Sequence, residues 1–297
     1  MSKHNFTRSL IATAVASHAL TTSAQLQLEE VIVTATKVES SLMETPAAIT
    51  SFDSDMRQQL GIDNSADLAV RTPSLTVAPS RVSIRGVGRP NIALGSDPGV
   101  GLYWDGVYNT ETDVFSYSNF LDIERIEVLR GPQSTLFGKN ASAGVINVVT
   151  AKPDLQGYSG SASVTVGNYD QLIVKGDVTG PISENVGFSL FGSYNEREGY
   201  YDNLELGTEQ NEVDRYSYRG QLLWTPTDRM EFRFIADGES LDEVCCGVAN
   251  LVDGPTGDAV RALGGNLVPN DPYAYKGYYD FDPGNEIDTS GVSLEFT

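Results

Sequence analysis

The sequence predicts a compact α+β domain followed by the first strands of an antiparallel β-barrel that crosses a membrane. Helical and strand patterns alternate as far as Pro153, and beyond Tyr158 a strict alternation of apolar and polar side chains replaces them. Long connections also alternate with short ones in this second part. A sheet with one apolar and one polar face fits a soluble sandwich or a membrane barrel, and the alternating connection lengths favour the barrel.

The N-terminal segment has the pattern of a secretory signal. Lys3 and Arg8 form a basic start, the run 9–20 is small and mostly apolar, and small residues precede Gln25. This pattern predicts cleavage between Ala24 and Gln25; the alternative is an amphipathic first helix of the fold. No later run reaches the roughly 18 apolar residues of a membrane-spanning helix, so strands would have to cross any membrane.

The composition argues against an enzyme and against a nucleic-acid-binding protein. There are 40 Asp or Glu against 20 Lys or Arg, a formal charge of −20, and no basic run that could contact phosphates. Both histidines, His4 and His18, lie within the predicted signal, so the mature chain would have no imidazole for a catalytic triad or a zinc site. No cofactor or metal site is predicted. A glycosidase that uses a carboxylate pair such as Glu231 and Asp237 is one alternative.

The first domain is predicted to contain two helices and several short strands. We expect strands at 31–36, 82–85, 101–107, 125–129 and 145–150, and helices at 54–60 and 65–70. Asn64 or Ser65 can cap the second helix, and Thr72-Pro73 ends it. Glycine-containing turns are predicted at Gly86, Gly131-Pro132 and Gly138.

Six later segments alternate between apolar and polar side chains, at 161–166, 171–178, 185–195, 215–224, 230–237 and 290–296. We assign the apolar side chains, such as Leu190, to a lipid-facing side, and the polar ones, such as Lys175 and Arg219, to a wet lumen. Tyr216 and Trp224 lie near the two ends of one segment and suit the two interfaces of a bilayer.

The connections between these segments differ in length and in charge. Those at 179–184 and 226–229 are short turns, whereas those at 196–214 and 238–287 are long. The two long connections hold 16 Asp or Glu against three Lys or Arg. This indicates either solvated loops or a surface that attracts a positively charged ligand.

Cys245 and Cys246 are neighbours within the second long connection. Three states stay open: a vicinal disulfide, pairing with cysteines outside this sequence, and free thiols. A catalytic or zinc-binding role is not predicted, because no other cysteine and no histidine accompanies them in the mature chain.

Four stretches together resemble the TonB-dependent outer-membrane receptors. LEEVIVTATK at 28–37 is similar to the TonB box of that family. RVSIRGVG at 81–88 and VGLYWDGVY at 100–108 resemble the middle of its plug domain. LDIERIEVLRGPQSTLFGKNASAGVINVVTAKP at 121–153 resembles the plug signature along its whole length.

The resemblance implies four regions: a signal peptide at 1–24, the TonB box and a linker at 25–40, a plug domain at 41–153 and a partial β-barrel at 154–297. Plugged transporters of this kind have 22 strands. The fold class is therefore an α+β plug followed by about six strands of a larger antiparallel transmembrane barrel, and we expect the chain to be part of a longer receptor.

The resemblance also implies site residues and partners. TonB would pair with the strand-forming residues Glu30, Val31, Ile32, Val33, Thr34, Ala35 and Thr36; the alternative is that they form the first strand of the plug. Arg85 and Arg130 would lock the plug to barrel glutamates, unless they are ordinary arginines at strand ends.

The implied function is energised uptake of a scarce ligand, first of all a ferric siderophore. The protein would lie in the outer membrane among its lipids, and TonB with its inner-membrane energising complex would drive transport. The alternative is a secreted soluble β-rich binding protein.

Overall fold

The computed structural model describes residues 32–34, 40–41, 43, 45, 47–78, 81–88, 98–109, 122–248, 254–268, 271 and 273–297. The chain divides into two compact units, Met1–Thr45 and Pro46–Thr297. The predicted signal at 1–24 lies outside the described residues. In the first unit, β1 (Ile32–Val33) pairs antiparallel with β2 (Ser40–Ser41).

The second unit begins with the predicted α+β domain. Its strands are β3 (Ile49–Asp53), β4 (Leu75–Ala78), β5 (Arg81–Ile84), β6 (Val87–Gly88), β7 (Val100–Trp104), β8 (Val107–Asn109), β9 (Ile123–Arg130) and β10 (Gly144–Thr150). Its helices are α1 (Ser54–Leu60), α2 (Ser65–Arg71) and α3 (Ser134–Phe137). Five strands form one sheet in the order β3-β9-β10-β7-β8, and β4, β5 and β6 form a second, antiparallel one.

The two predicted helices begin at side-chain caps. Asp53 accepts the backbone N–H of Met56 at 2.7 Å at the start of α1. Asn64, one of the two caps expected for α2, accepts the N–H groups of Ala66 and Asp67 at 2.9 and 3.0 Å. Such caps satisfy backbone donors that have no partner inside the helix.

A hydrophobic core among the described residues joins both sheets of this domain to α1 and α2. Its buried side chains are Phe52, Ile62, Leu68, Leu75, Val82, Ile84, Val100, Leu102, Ile123, Ile126, Val128, Ala143, Ile146 and Val148. Residues of the central strand β10 supply both faces of the five-stranded sheet, which explains why its sequence reads as a nearly continuous apolar run.

The predicted strand at 101–107 is wrong in one respect. The structure interrupts it with a turn at Asp105 and Gly106, which have φ angles of 47° and 79°, and places β7 before the turn and β8 after it. Asp-Gly is a preferred pair for tight hairpins because both residues tolerate positive φ. The run was therefore a hairpin rather than one strand.

The six alternating segments form one antiparallel sheet, as predicted. Its strands are β11 (Ser159–Val166), β12 (Leu172–Ser183), β13 (Val186–Arg197), β16 (Val213–Thr227), β17 (Met230–Val244) and β19 (Gly284–Phe296), paired in that order. Several strands extend beyond the predicted segments, so the long connections shrink to 198–212 and 245–283. These connections contain β14 (Tyr201–Asn203), β15 (Thr208–Gln210), α4 (Pro255–Ala262) and β18 (Lys276–Gly277).

The predicted separation of the two faces of this sheet is confirmed. On one face the large apolar side chains are exposed, for example Leu190 at 55% and Trp224 at 47%. On the other face Arg219, Gln221 and Arg233 are buried, at 9%, 2% and 2% exposure. The polar face is covered by the α+β domain, and the apolar face is left for another environment. Within the described ranges, no helix is long and apolar enough to cross a membrane.

Candidate functional site

A buried arginine of the sheet makes several contacts with the α+β domain that covers the polar face. Arg233 of β17 donates through Nη2 to the carbonyls of Thr150 and Ala151, both at 3.3 Å, and to the Thr150 hydroxyl. Its Nη1 lies 3.7 Å from a carboxylate oxygen of Asp105 and 3.5 Å from one of Glu295. The end of β10 and the β7-β8 turn therefore meet the sheet at a single guanidinium, which can serve several acceptors at once.

Gln221 of β16 extends this network. Its amide oxygen accepts from Arg233 Nε at 2.8 Å, and its amide nitrogen donates to Asp122 Oδ2 at 2.9 Å and to the Ala151 carbonyl at 3.1 Å. Burial raises the pKa of Asp122 above its ordinary value, and the positive charge of Arg219 opposes that shift. Because hydrogen bonds join Arg233, Gln221 and Asp122 in series across the interface, the network can fix one position of the domain.

Two ion pairs lie at the edges of the same interface. Lys152 and Glu231 are joined at 2.6 Å, and Lys175 and Asp63 are also joined at 2.6 Å. Both pairs are partly exposed, and exposed pairs contribute at most about 1 kcal/mol. The buried network around Arg233 is therefore the main polar contact between domain and sheet.

The two arginines expected to lock the domain lie close together in space. Arg85 is in the turn between β5 and β6 with a φ of 55°, and a β-carbon on Gly131 would lie 3.5 Å from its Nη1. Arg130 is the last residue of β9. Within the part of the chain that the structure describes, neither forms an ion pair, so their locking role stays a prediction.

The predicted glycine turns adopt the backbone that glycine favours. Gly86, Gly131 and Gly138 have φ angles of 75°, 114° and 74°. Gly131-Pro132 and Gly138 flank the single helical turn α3, and Gly131 donates its N–H to the Ala143 carbonyl at 2.9 Å. The turn thus packs beside the start of β10.

A cavity of about 450 Å³ separates the β7-β8 hairpin from the middle of the sheet. Trp104 and Tyr108 line it on the domain side, and Arg219, Asp237 and Glu239 line it on the sheet side. Its walls combine aromatic surface with charges of both signs, a composition suited to a polar ligand or to water rather than to lipid.

The two long connections form a small sheet of their own, in the order β15-β14-β18. Asp282 holds its hairpin: one carboxylate oxygen accepts from Asn203 Nδ2, Thr208 Oγ1 and Gln210 Nε2 at 2.9, 2.9 and 3.1 Å. These hydrogen bonds, first that of Asn203, lower the pKa of Asp282 below its ordinary value. We call this assembly the outer-loop sheet.

Acid is expected to loosen the outer-loop sheet. A carboxylate whose pKa is lowered by folding contributes stability above its ordinary value of 3.8, and that stability is lost as pH falls through the lowered pKa. Pepsin should therefore cleave 198–212 increasingly as the pH falls below 3.8. The control Asp280→Asn removes an exposed charge nearby and should leave the pH dependence unchanged, whereas Asp282→Asn should flatten it. A wild-type profile without such a rise would contradict the role of Asp282.

The neighbouring cysteines form a vicinal disulfide, Cys245–Cys246. Of the three states left open by the sequence, this is the one the structure adopts. The pair directly follows β17, where the chain leaves the six-stranded sheet for the long connection.

Part of the expected TonB-binding stretch can be placed. Ile32 and Val33 pair with Ser41 and Ser40 in β1 and β2, and the Val33 side chain is buried. Thr34 follows β1 and is partly buried, and the remaining candidates Glu30, Val31, Ala35 and Thr36 lie outside the described residues. The backbone of Ile32 and Val33 is therefore extended, as a strand offered to a partner must be, and the binding role stays a prediction.

Residues 41–145 match the family described as the TonB-dependent receptor plug domain. The pesticin receptor of Yersinia pestis is 33% identical over 167 residues, which is 54% of this chain and 22% of that receptor. The ferripyoverdine receptor of Pseudomonas aeruginosa is 27% identical over 184 residues, 60% of this chain and 22% of that protein. The chain thus spans about a fifth of the length of these relatives.

Solved structures show the same fold. The ferric yersiniabactin uptake receptor from Yersinia pestis superposes with a TM-score of 0.71 at 23% identity, covering 84% of this chain and 38% of that one. The FpvAI–pyocin S2 complex gives a TM-score of 0.68 at 20% identity, covering 89% of this chain and 33% of that one. Coverages of this size exceed the length of the α+β domain or of the following strands taken alone.

Proposed function

We propose that the protein is an outer-membrane receptor for energised uptake of a scarce ligand, because residues 41–145 match the TonB-dependent receptor plug domain. The observation that carries the proposal is the docking of this domain on the polar face of a six-stranded antiparallel sheet through the buried Arg233 network. A domain placed in this way blocks the lumen and has to move before a ligand can pass.

A ferric siderophore is the first candidate for the ligand. The relatives include a ferripyoverdine receptor and a ferric yersiniabactin uptake receptor by name, and these support an iron chelate over cobalamin or a saccharide. The chain itself makes or breaks no bond in this scheme. It holds the ligand, and transport energy comes from outside it.

The partner that supplies this energy is TonB with its inner-membrane complex. Residues 30–36 would pair with TonB as an added strand, and Ile32 and Val33 would first leave Ser41 and Ser40, their strand partners among the described residues. The mature protein would begin at Gln25 after removal of the signal and lie among outer-membrane lipids. The domain boundaries at 25–40, 41–153 and 154–297 are part of this proposal, as is the plug-locking role of Arg85 and Arg130.

Fractionation and iron uptake test the proposal together. Cells that produce the full-length protein should carry it in the outer membrane and accumulate radioactive iron from at least one chelate in a siderophore panel. Uptake should disappear in a strain without TonB, while binding at the cell surface remains. Recovery of the protein from the medium would instead favour the alternative, a secreted soluble β-rich binding protein.

Val33→Pro is expected to uncouple uptake from binding. Proline has no N–H to donate to an added strand, so uptake should fall at least about tenfold while surface binding of the chelate is unchanged. Val33→Ile keeps the N–H and the branched side chain, and it should transport normally. Unchanged uptake in Val33→Pro would contradict the assignment of the TonB-binding stretch.

A further inference from the structure

The vicinal disulfide lies where three segments of the outer loops meet. The N–H of Cys245 donates to the Pro283 carbonyl at 2.8 Å. The next residue but one, Gly247, exchanges two hydrogen bonds with the Asn211 side chain, at 3.0 and 3.1 Å. The four residues 245–248 therefore tie the end of β17 to both long connections.

Val248 completes this junction. Its N–H donates to the Tyr279 hydroxyl at 3.2 Å, and its carbonyl accepts from the Tyr201 and Tyr279 hydroxyls at 2.7 and 2.9 Å. Tyr201 is a residue of the outer-loop sheet and is almost fully buried. The path of residues 245–248 after β17 therefore decides where Val248 meets Tyr201 of the outer-loop sheet.

That path depends on an unusual backbone conformation at Cys246. Its φ is 75°, a region that residues with a β-carbon rarely adopt. The disulfide closes a small ring with the preceding residue and so restricts the alternatives open to this backbone. Without the ring, Cys246 would be an ordinary residue at an unfavourable φ, and the turn would open to more extended conformations.

We propose that Cys245–Cys246 is a reversible redox site whose reduction releases 245–248 from its contacts with the outer loops. Cys246 is exposed and Cys245 is half-buried, so a soluble thiol can reach the bond. The co-reactant is a dithiol: one thiolate attacks a cysteine sulfur and breaks the S–S bond, and its second thiol then displaces the cysteine sulfur from the mixed disulfide. The pair gains two electrons and two protons, and the dithiol becomes a disulfide. This site does not depend on TonB or on the identity of the ligand.

Hydrogen exchange of the full-length protein tests the proposal. After treatment with dithiothreitol, the amides of Cys245, Gly247 and Val248 should exchange at least about tenfold faster, because each donates a hydrogen bond that the oxidised turn positions. Amides in the middle of β17 should exchange as before. Maleimide labelling of both cysteines confirms that the bond has been reduced. A pair that resists the dithiol, or unchanged exchange after reduction, would overturn the proposal.

Two double variants separate the ring from the backbone that it stabilises. Cys245→Ser with Cys246→Ser should exchange quickly with or without reductant. Cys245→Ser with Cys246→Gly should exchange as slowly as the oxidised wild type, because glycine adopts positive φ without a ring. Slow exchange in the first variant, or fast exchange in the second, would show that the ring does not act by holding this φ.

Discussion

Arg233→Leu is expected to free the α+β domain from the sheet at a lower urea concentration than in the wild type. The buried guanidinium donates to Thr150, to the Ala151 carbonyl and to Gln221, and it lies against the carboxylate of Asp105. Leucine donates nothing, so Gln221 Oε1 and the Thr150 carbonyl lose this donor inside the interface, while the Ala151 carbonyl keeps its hydrogen bond from Gln221. Removing one member of a buried charge pair typically costs about 3–5 kcal/mol.

The measurement is the urea concentration at which a protease cleaves half of the α+β domain in the full-length protein. Arg229→Leu is the matched control, because Arg229 lies exposed in the turn between β16 and β17 and its side chain has no ion pair among the described residues. Arg233→Leu with Asp105→Asn should recover part of the loss, because the second change removes the uncompensated charge. Equal urea midpoints for Arg233→Leu and the wild type would contradict the central role of this contact.

Secondary-structure elements that depend on residues close in sequence were predictable. The six strands follow from side chains that alternate over a period of two, and the helix at 65–71 follows from the cap at Asn64. Each of these signals lies within one short segment, so no knowledge of the rest of the chain was needed. The strands β3 and β4 were missed because 49–53 and 75–78 are short and mix polar with apolar residues.

The contacts between the α+β domain and the six-stranded sheet could not be predicted from the sequence. Arg233 and Thr150 are 83 residues apart, and the alternation places Arg233 on the polar face without saying what covers it. Resemblance to the family pointed instead to Arg85 and Arg130, for which the described residues supply no ion-pair partner. A buried polar network is defined by which elements meet in space, and only the folded structure supplies that.

Two aromatic rows mark the apolar face of the six-stranded sheet. Trp224, Phe232 and Phe296 lie side by side on neighbouring strands, with ring centroids 5.2 and 4.8 Å apart. Tyr216 and Tyr194 are opposite each other nearer the outer loops. Tyr216 and Trp224 are eight residues apart on β16, a distance of about 26 Å along an extended strand. On strands tilted by about 35–45°, that length spans about 18–21 Å of membrane depth, most of the apolar band of about 25 Å in outer-membrane barrels.

Leu190→Lys is expected to destabilise the protein in lipid by about 2–4 kcal/mol, the cost of a lysine at the bilayer midplane. Leu190 is exposed on the apolar face and lies opposite Gly220, midway between Tyr216 and Trp224 on β16. Tyr216→Lys is the depth control, since near an interface the same charge costs only about 0–1 kcal/mol. Urea unfolding of the full-length protein in lipid vesicles measures both. If water rather than lipid covered this face, the two lysines would be tolerated alike, because exposed substitutions rarely change stability by more than about 0.5 kcal/mol.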